Sequence, residues 1–204
     1  MKEESVSIPC GELKLEGLLA RPDGSTGAAV VCHPHPLYGG SMYNNVVEAM
    51  LKALWRCGYA TLRINFRGVG GSTGEHTGGV GEGDDAKAAL RFILAQPGLG
   101  KAGAIMSGYS FGAAVAMRAG AEANEVETIA AVALPVGMGD FPQPTSNKKI
   151  VLIAGDRDGY CPGPKIAEVA RHCGGRLKMI EGADHFFGGY EDILSDALVE
   201  LLTA

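Results

Sequence analysis

The sequence predicts an α/β fold of three layers, in which helices cover both faces of a mostly parallel central sheet. Two observations lead to this prediction. Short apolar runs alternate with amphipathic helical segments along almost the whole chain, and the run Ala28–Cys32 is apolar at every position. A strand that is apolar throughout is buried on both faces, as in parallel sheets covered by helices. Strands that alternate with helices are joined by right-handed crossovers.

Length and composition limit the possible functions. The 204 residues predict a single domain over 1–204, with 46% hydrophobic and 20% charged residues. The net charge of −5 and the lack of any Lys/Arg cluster argue against a nucleic-acid partner. Because no apolar run approaches the length of a membrane span and residues 1–5 lack an apolar leader segment, we expect a cytoplasmic protein with no membrane contact.

Cysteine usage agrees with a reducing compartment. The five cysteines are odd in number, scattered, and form no CxxC pair, so reduced thiols are expected rather than disulfides or a zinc site. We expect no cofactor and no metal. The sequence does not indicate an oligomeric state.

The first half of the chain predicts an antiparallel sheet edge and the first buried helix. Residues 6–8 and 13–19 are short strands joined by a turn at 9–11. After the strand Ala28–Cys32, Asn44 or Asn45 can cap a helix that runs to Trp55. The apolar residues of that helix form one stripe, Val46, Val47, Met50, Leu51 and Leu54. Residues 59–66 are expected to return as a strand.

The second half repeats the same alternation. A glycine-rich loop over residues 67–74 precedes a helix over 82–96, whose acidic first turn suits the positive end of the helix dipole. Further strands are expected at residues 102–109, 128–134, 150–154 and 177–180, and further helices at 111–121, 162–173 and 193–202. Too few residues separate the strands at 128–134 and 150–154 for a helical cap domain, so an open site is expected.

A lone serine stands where the strand over 102–109 meets the next helix, in Gly108-Tyr109-Ser110-Phe111-Gly112. In a G-x-S-x-G turn between a strand and a helix, the serine takes a strained backbone conformation that exposes its hydroxyl. The two glycines leave room where strand and helix nearly touch, and glycine also accepts unusual dihedrals. We therefore predict that Ser110 is a nucleophile.

A serine hydroxyl needs a histidine base, which in this architecture follows the serine in the chain. Two histidines follow Ser110. His172 lies within the predicted helix over 162–173, whereas His185 stands in the loop after the last strand, which can reach the carboxyl edge of the sheet. His185 is therefore the expected base.

The carboxylate that orients the base is expected in the loop after the strand over 150–154. That loop offers Asp156 and Asp158, and Asp158 is the better candidate because Asp156 can bind backbone N–H groups of its own turn. Asp140 is the reserve acid. Asp184 is expected to shape the loop around His185.

Two backbone N–H groups are needed to stabilise the oxyanion that forms when the serine attacks. The first is predicted at Phe111, directly after the nucleophile. The second should come from the loop that begins His33-Pro34-His35-Pro36. Since its prolines have no N–H, Leu37 is the first choice and His35 the second.

These motifs together resemble the α/β-hydrolase superfamily, and in particular its small lidless serine hydrolases, which are dienelactone-hydrolase-like or esterase-like. The resemblance rests on His33 to Pro36 after the third strand, on Asn65-Phe66-Arg67-Gly68 and Ser72 after the fourth, and on the serine motif after the fifth. It covers nearly the whole chain. The His-Pro-His-Pro loop replaces the His-Gly start that is common elsewhere in the superfamily.

The resemblance implies a serine hydrolase with the α/β-hydrolase fold and no cap domain. It implies that Ser110, His185 and Asp158 form a catalytic triad that cleaves a small carboxylic ester or thioester through an acyl-enzyme. Tyr38, Tyr160 and Phe186 lie in loops expected at the substrate pocket. An amidase or acyltransferase would use the same triad.

Three other interpretations stay open on the sequence alone. Residues 81–86 match G-x-G-x-x-A before a helix, which is typical of dinucleotide binding, although no strand directly precedes them and three acidic residues would repel a pyrophosphate. His33 and His35 could form a metal pair, but no acidic or cysteine-rich partner cluster accompanies them. A non-catalytic binding protein on the same fold is the third alternative, and it predicts a broken triad.

Overall fold

The computed structural model describes residues 2–138 and 148–204 of the chain. These residues form one eight-stranded sheet and five α-helices. The strands are β1 (Glu3–Cys10), β2 (Leu13–Ala20), β3 (Ala28–Cys32), β4 (Ala60–Ile64), β5 (Ala104–Tyr109), β6 (Val126–Val132), β7 (Lys149–Gly155) and β8 (Arg176–Ile180). The helices are α1 (Asn45–Arg56), α2 (Val80–Leu94), α3 (Phe111–Glu122), α4 (Gly163–Cys173) and α5 (Glu191–Thr203).

The sheet has the predicted mixture of strand directions. Its strand order is β1-β2-β4-β3-β5-β6-β7-β8. β2 pairs antiparallel with both β1 and β4, and every other neighbouring pair is parallel. The antiparallel edge and the parallel centre are therefore both confirmed, and the fold is that of an α/β hydrolase.

Two hydrophobic cores separate the three layers. One core packs α2, α3 and α4 against the sheet, and the other packs α1 and α5 against the opposite face. The predicted stripe of α1 is buried along its whole length, and Asn44 caps the helix by accepting a hydrogen bond from the Val46 N–H at 2.9 Å. Since the five helices lie on the faces of the sheet, none of the described elements forms a cap domain. No described helix is both long and apolar enough to cross a membrane.

Several boundaries differ from the predicted ones for local reasons. β1 begins at Glu3 and continues to Cys10, because it pairs with the full length of β2, and the turn falls on Gly11, whose φ is 59°. β6 ends at Val132, since Ala133 has a φ of 48°. A single 3-10 turn over Pro36–Tyr38 stands where the sequence predicts an irregular loop.

Candidate active site

Ser110 occupies the junction between β5 and α3 in a conformation that few non-glycine residues adopt. Its φ is 54° and its ψ is −119°. Its N–H donates to the Val132 carbonyl at 2.9 Å, and its carbonyl accepts from the Ala113 N–H at 2.9 Å. Backbone strain of this kind costs about 1–3 kcal/mol, so the surrounding structure must hold the residue in place.

The two glycines of the motif provide space. A Cβ on Gly108 would lie 2.2 Å from the Gly112 carbonyl oxygen, and a Cβ on Gly112 would lie 2.4 Å from the carbonyl oxygens of Cys32 and His33. Neither glycine has a positive φ, so the expectation of unusual glycine dihedrals is wrong at these positions. The unusual dihedral lies on Ser110, while the glycines let β5, α3 and the end of β3 approach one another.

His185 lies between Ser110 and Asp158. Its Nε2 is 2.9 Å from Ser110 Oγ, and its Nδ1 is 2.7 Å from Asp158 Oδ2. A carboxylate only accepts hydrogen bonds, so Nδ1 carries the ring proton and Nε2 is free to accept from the serine hydroxyl. This is the geometry that a general base requires.

Asp158 is held from its other side by the backbone of its own loop. Its side chain has no solvent exposure, and its Oδ1 accepts from the N–H groups of Tyr160 at 2.8 Å and Cys161 at 2.9 Å. The buried Tyr109 hydroxyl donates to the His185 carbonyl oxygen at 2.9 Å. Burial, with the negative charges of Asp158 and Asp184 adding to it, raises the pKa of Tyr109, so its hydroxyl stays protonated as a donor.

The remaining acidic residues and histidine have other contacts. Asp156 accepts from the Gly182 N–H at 2.7 Å, so it joins its loop to the loop after β8 instead of binding its own turn. Asp184 accepts from the Phe186 N–H at 2.9 Å and shapes the loop around His185. His172 is exposed on α4, and Asp140 lies outside the described residues.

The N–H groups of the two residues that flank the serine on neighbouring loops, Phe111 and His35, donate to no acceptor among residues 2–138 and 148–204. Phe111 is the first residue of α3, where no intrahelical acceptor exists. The Leu37 N–H donates to His35 Nδ1 at 3.2 Å, so the first-choice oxyanion donor is already engaged within its own turn.

Comparison with known proteins gives the family. Residues 11–153, more than half of the chain, match the sequence model described as X-Pro dipeptidyl-peptidase (S15 family). The chain is an α/β hydrolase of the S15 family.

Individual relatives match almost the whole length of the chain. An uncharacterized protein of Rickettsia prowazekii (strain Madrid E) is 35% identical over 206 residues, which cover 94% of this chain and 85% of the relative. The structure of an α/β serine hydrolase homologue from Coxiella burnetii is 33% identical, with a TM-score of 0.90, and the match covers 99% of this chain and 98% of the homologue. A Xanthomonas campestris structure described as an α/β serine hydrolase without lid is 29% identical, with a TM-score of 0.87 and coverage of 100% and 94%.

His33 has a structural position in this hydrolase. Its Nε2 accepts from the Phe66 N–H at 3.0 Å, and its Nδ1 lies 2.6 Å from the Pro34 carbonyl oxygen. Burial lowers the pKa of His33 to about 4, so the ring is neutral and ties the end of β3 to the end of β4. Within residues 2–138 and 148–204, no group of three or more His, Cys, Asp or Glu is placed to hold a metal ion.

Aromatic rings lie on two sides of the hydrolase site. Beside the base, the Tyr160 and Phe186 rings have centroids 4.8 and 5.6 Å from that of His185. On the other side, the Tyr38 ring lies 4.9 Å from the His35 ring. Tyr38, Tyr160 and Phe186 are 82%, 47% and 61% exposed, so all three rings are open to solvent.

The residues of the dinucleotide-like motif have contacts within the fold. Glu82 is buried and accepts from the N–H groups of Thr77 and Gly79 at 2.9 and 2.7 Å. Asp85 is buried and accepts hydrogen bonds from the Arg67 guanidinium at 2.7–3.1 Å. Asp85 holds the start of the glycine-rich loop onto α2, and Glu82 does the same for residues 77–79, which follow that loop.

His76 is a residue near the site that sequence reasoning missed. Its ring contacts both His35 and Phe111, with centroids 4.9 and 5.4 Å apart. It also borders a groove of about 510 Å³ between the loop that contains Pro36 and the glycine-rich loop. The available signal was a histidine six residues before an acidic residue in the first turn of a helix, which is too common to single out.

Proposed function

We propose that this hydrolase cleaves a carboxylic ester, or thioester, of a small substrate through an acyl-enzyme on Ser110. The observation that carries the proposal is the continuous contact from Ser110 Oγ to His185 Nε2 at 2.9 Å and from His185 Nδ1 to Asp158 Oδ2 at 2.7 Å. The contact pattern supports a base already oriented toward its nucleophile.

In the first half of the reaction, Ser110 Oγ attacks the carbonyl carbon as its proton moves to His185 Nε2. Asp158 stabilises the resulting imidazolium, and the free N–H groups of Phe111 and His35 donate to the oxyanion. The bond between carbonyl carbon and leaving oxygen then breaks, and the leaving alcohol takes the proton from Nε2.

In the second half, a water molecule gives its proton to His185 Nε2 and attacks the acyl carbon. The bond to Ser110 Oγ breaks as the serine recovers that proton, and the carboxylic acid is released. Since no group besides the triad and backbone amides takes part, we propose that the reaction needs no cofactor.

The surroundings of the base support an aromatic or bulky apolar leaving alcohol. His185 must protonate the leaving oxygen, so the leaving group lies beside its ring, where Tyr160 and Phe186 stand within 4.8 and 5.6 Å. Both rings are exposed, and a bound aromatic group would cover them, with about 0.5–1.5 kcal/mol per ring pair beyond simple burial.

X-Pro dipeptidyl-peptidase activity, the release of an X-Pro dipeptide from a longer peptide, is the second candidate, and the match to the S15 family favours it. One assay separates the two. The purified protein is given p-nitrophenyl esters of increasing acyl length and alanyl-prolyl-p-nitroanilide. The esters release p-nitrophenol and the anilide releases p-nitroaniline, and both products are measured by absorbance. We expect ester turnover that Ser110→Ala abolishes. Turnover of the anilide at a higher kcat/KM than any ester would replace the ester proposal, and no turnover of either would favour a binding protein.

A further inference from the structure

The rings of three residues from three separate segments meet next to the free backbone N–H groups. His35 follows β3, His76 lies in the loop after β4, and Phe111 begins α3. The His35 and Phe111 rings have centroids 4.8 Å apart, and the His76 ring lies 4.9 Å from the first and 5.4 Å from the second. His76 thus contacts the side chains of the two residues whose N–H groups are free.

A buried carboxylate also contacts His76. His76 Nδ1 lies 2.9 Å from Glu82 Oε1, and the Glu82 side chain has no solvent exposure. The two atoms are close enough for an ion pair, but the angle at Nδ1 is outside the range of a hydrogen bond. Close contact with Glu82 and packing against His35 and Phe111 therefore surround the ring.

Glu82 is itself fixed by the loop that carries His76. Its carboxylate accepts from the Gly79 N–H at 2.7 Å, the Thr77 N–H at 2.9 Å and the Thr77 hydroxyl at 3.0 Å. Burial alone would raise the pKa of Glu82, but these hydrogen bonds outweigh it and hold the pKa below its usual range. The group is therefore an anion, and each of its two oxygens accepts a hydrogen bond from the segment that directly follows His76.

We infer that His76 is a positioning residue for the oxyanion site, and that it acts through ring contact with His35 and Phe111. The inference rests on the proposed function. An oxyanion donor must lie 2.7–3.1 Å from the oxygen that it stabilises, and the two donors come from different loops. A single ring that packs against both residues restrains the two loops that carry the donors.

Kinetic constants distinguish this role from general loop packing. A residue that only supports the fold would, when changed, reduce stability and raise KM and lower kcat together. A residue that positions oxyanion donors changes stabilisation of the transition state and leaves substrate binding nearly intact.

The test uses an ester and its thionoester, in which sulfur replaces the carbonyl oxygen. Sulfur accepts hydrogen bonds weakly, so the ratio of kcat for the ester to kcat for the thionoester reports on the oxyanion site itself. His76→Gln keeps a polar group near Glu82 but removes the ring, whereas His76→Phe keeps a ring and removes the polar contact. His172→Ala, at an exposed histidine on α4, is the matched control.

For His76→Gln we expect kcat for the ester to fall about tenfold, KM to change less than about twofold, and the ester-to-thionoester ratio to fall. His76→Phe should keep kcat within about threefold of the original protein, and His172→Ala should match it. Thermal unfolding of each variant shows whether it is folded at the assay temperature.

Three results would overturn the inference. In the first, the ester-to-thionoester ratio of His76→Gln equals that of the original protein. In the second, His76→Phe loses as much activity as His76→Gln. In the third, KM rises in proportion to the loss of kcat. Failure of the proposed function looks different, because the unmodified protein would then turn over neither the ester nor the thionoester.

Discussion

Replacing Asp158 with asparagine changes one charge and reverses one hydrogen bond. Asp158 Oδ1 accepts from the Tyr160 and Cys161 N–H groups at 2.8 and 2.9 Å, so the amide oxygen of asparagine must stay on that side. Its NH₂ group then faces His185 Nδ1, which in the original protein lies 2.7 Å from a carboxylate oxygen. Nδ1 must become an acceptor, and the ring proton moves to Nε2.

A protonated Nε2 cannot accept the proton of Ser110, which lies 2.9 Å away. We expect kcat for an aryl ester to fall by about 10³–10⁴, equivalent to about 4–5.5 kcal/mol of transition-state stabilisation, with a smaller change in KM. Steady-state kinetics and the free energy of unfolding should be measured together, because the asparagine keeps both backbone hydrogen bonds and should leave the fold intact.

Asp156→Asn is the matched control, two residues earlier in the same loop. Its Oδ1 accepts from the Gly182 N–H at 2.7 Å, a hydrogen bond that an asparagine oxygen also makes. We expect kcat within about twofold of the original protein. The reasoning is refuted if Asp158→Asn keeps activity within tenfold, and a large loss in Asp140→Asn at the same time would move the acid to Asp140.

Three further predictions concern stability, specificity and pH. Gly112→Ala should destabilise the protein by more than about 2 kcal/mol in urea unfolding, because its Cβ would lie 2.4 Å from two backbone oxygens. Gly83→Ala on α2, whose Cβ would meet no atom within 4 Å, should be neutral or stabilising. Equal effects of the two substitutions would contradict the claim that Gly112 is required for lack of space. Phe186→Ala should lower kcat/KM about fivefold for phenyl esters but not for hexafluoroisopropyl esters of the same acid, and an equal loss for both would remove Phe186 from the leaving-group site. Because burial lowers the pKa of His33 from 6.5 to about 4, the unfolded chain binds a proton in that interval that the folded protein does not. The free energy of unfolding should therefore fall by up to about 3 kcal/mol as the pH drops from 6.5 to about 4. A His33→Asn variant whose free energy of unfolding falls equally over this pH range would contradict the prediction.

The strands, helices and chain order of the site could be predicted because each leaves a local pattern. The fully apolar run at Ala28–Cys32, the stripe of α1 and the joint at Ser110 depend on residues close together in the chain. The order of these elements in the chain predicts His185 and Asp158 as partners of the serine, since the fold brings the loops after parallel strands to one edge of the sheet.

The details that escaped prediction depend on contacts between distant segments. Pro36–Tyr38 forms a 3-10 turn in which His35 Nδ1 accepts the Leu37 N–H, so the free N–H falls at His35. His76 becomes notable only because three loops bring it onto His35 and Phe111. Neither arrangement leaves a periodic or spacing signal in the sequence.

Covalent labelling of Ser110 tests the central claim most directly. The purified protein is treated with a fluorophosphonate, and the modified peptide is identified by mass spectrometry. We predict one adduct on Ser110 in the folded protein, no adduct in Ser110→Ala, and much slower labelling in His185→Ala, where the serine remains but its base is gone. An adduct on another residue, or none on Ser110 in the folded protein, would contradict the assignment of Ser110 as an activated nucleophile.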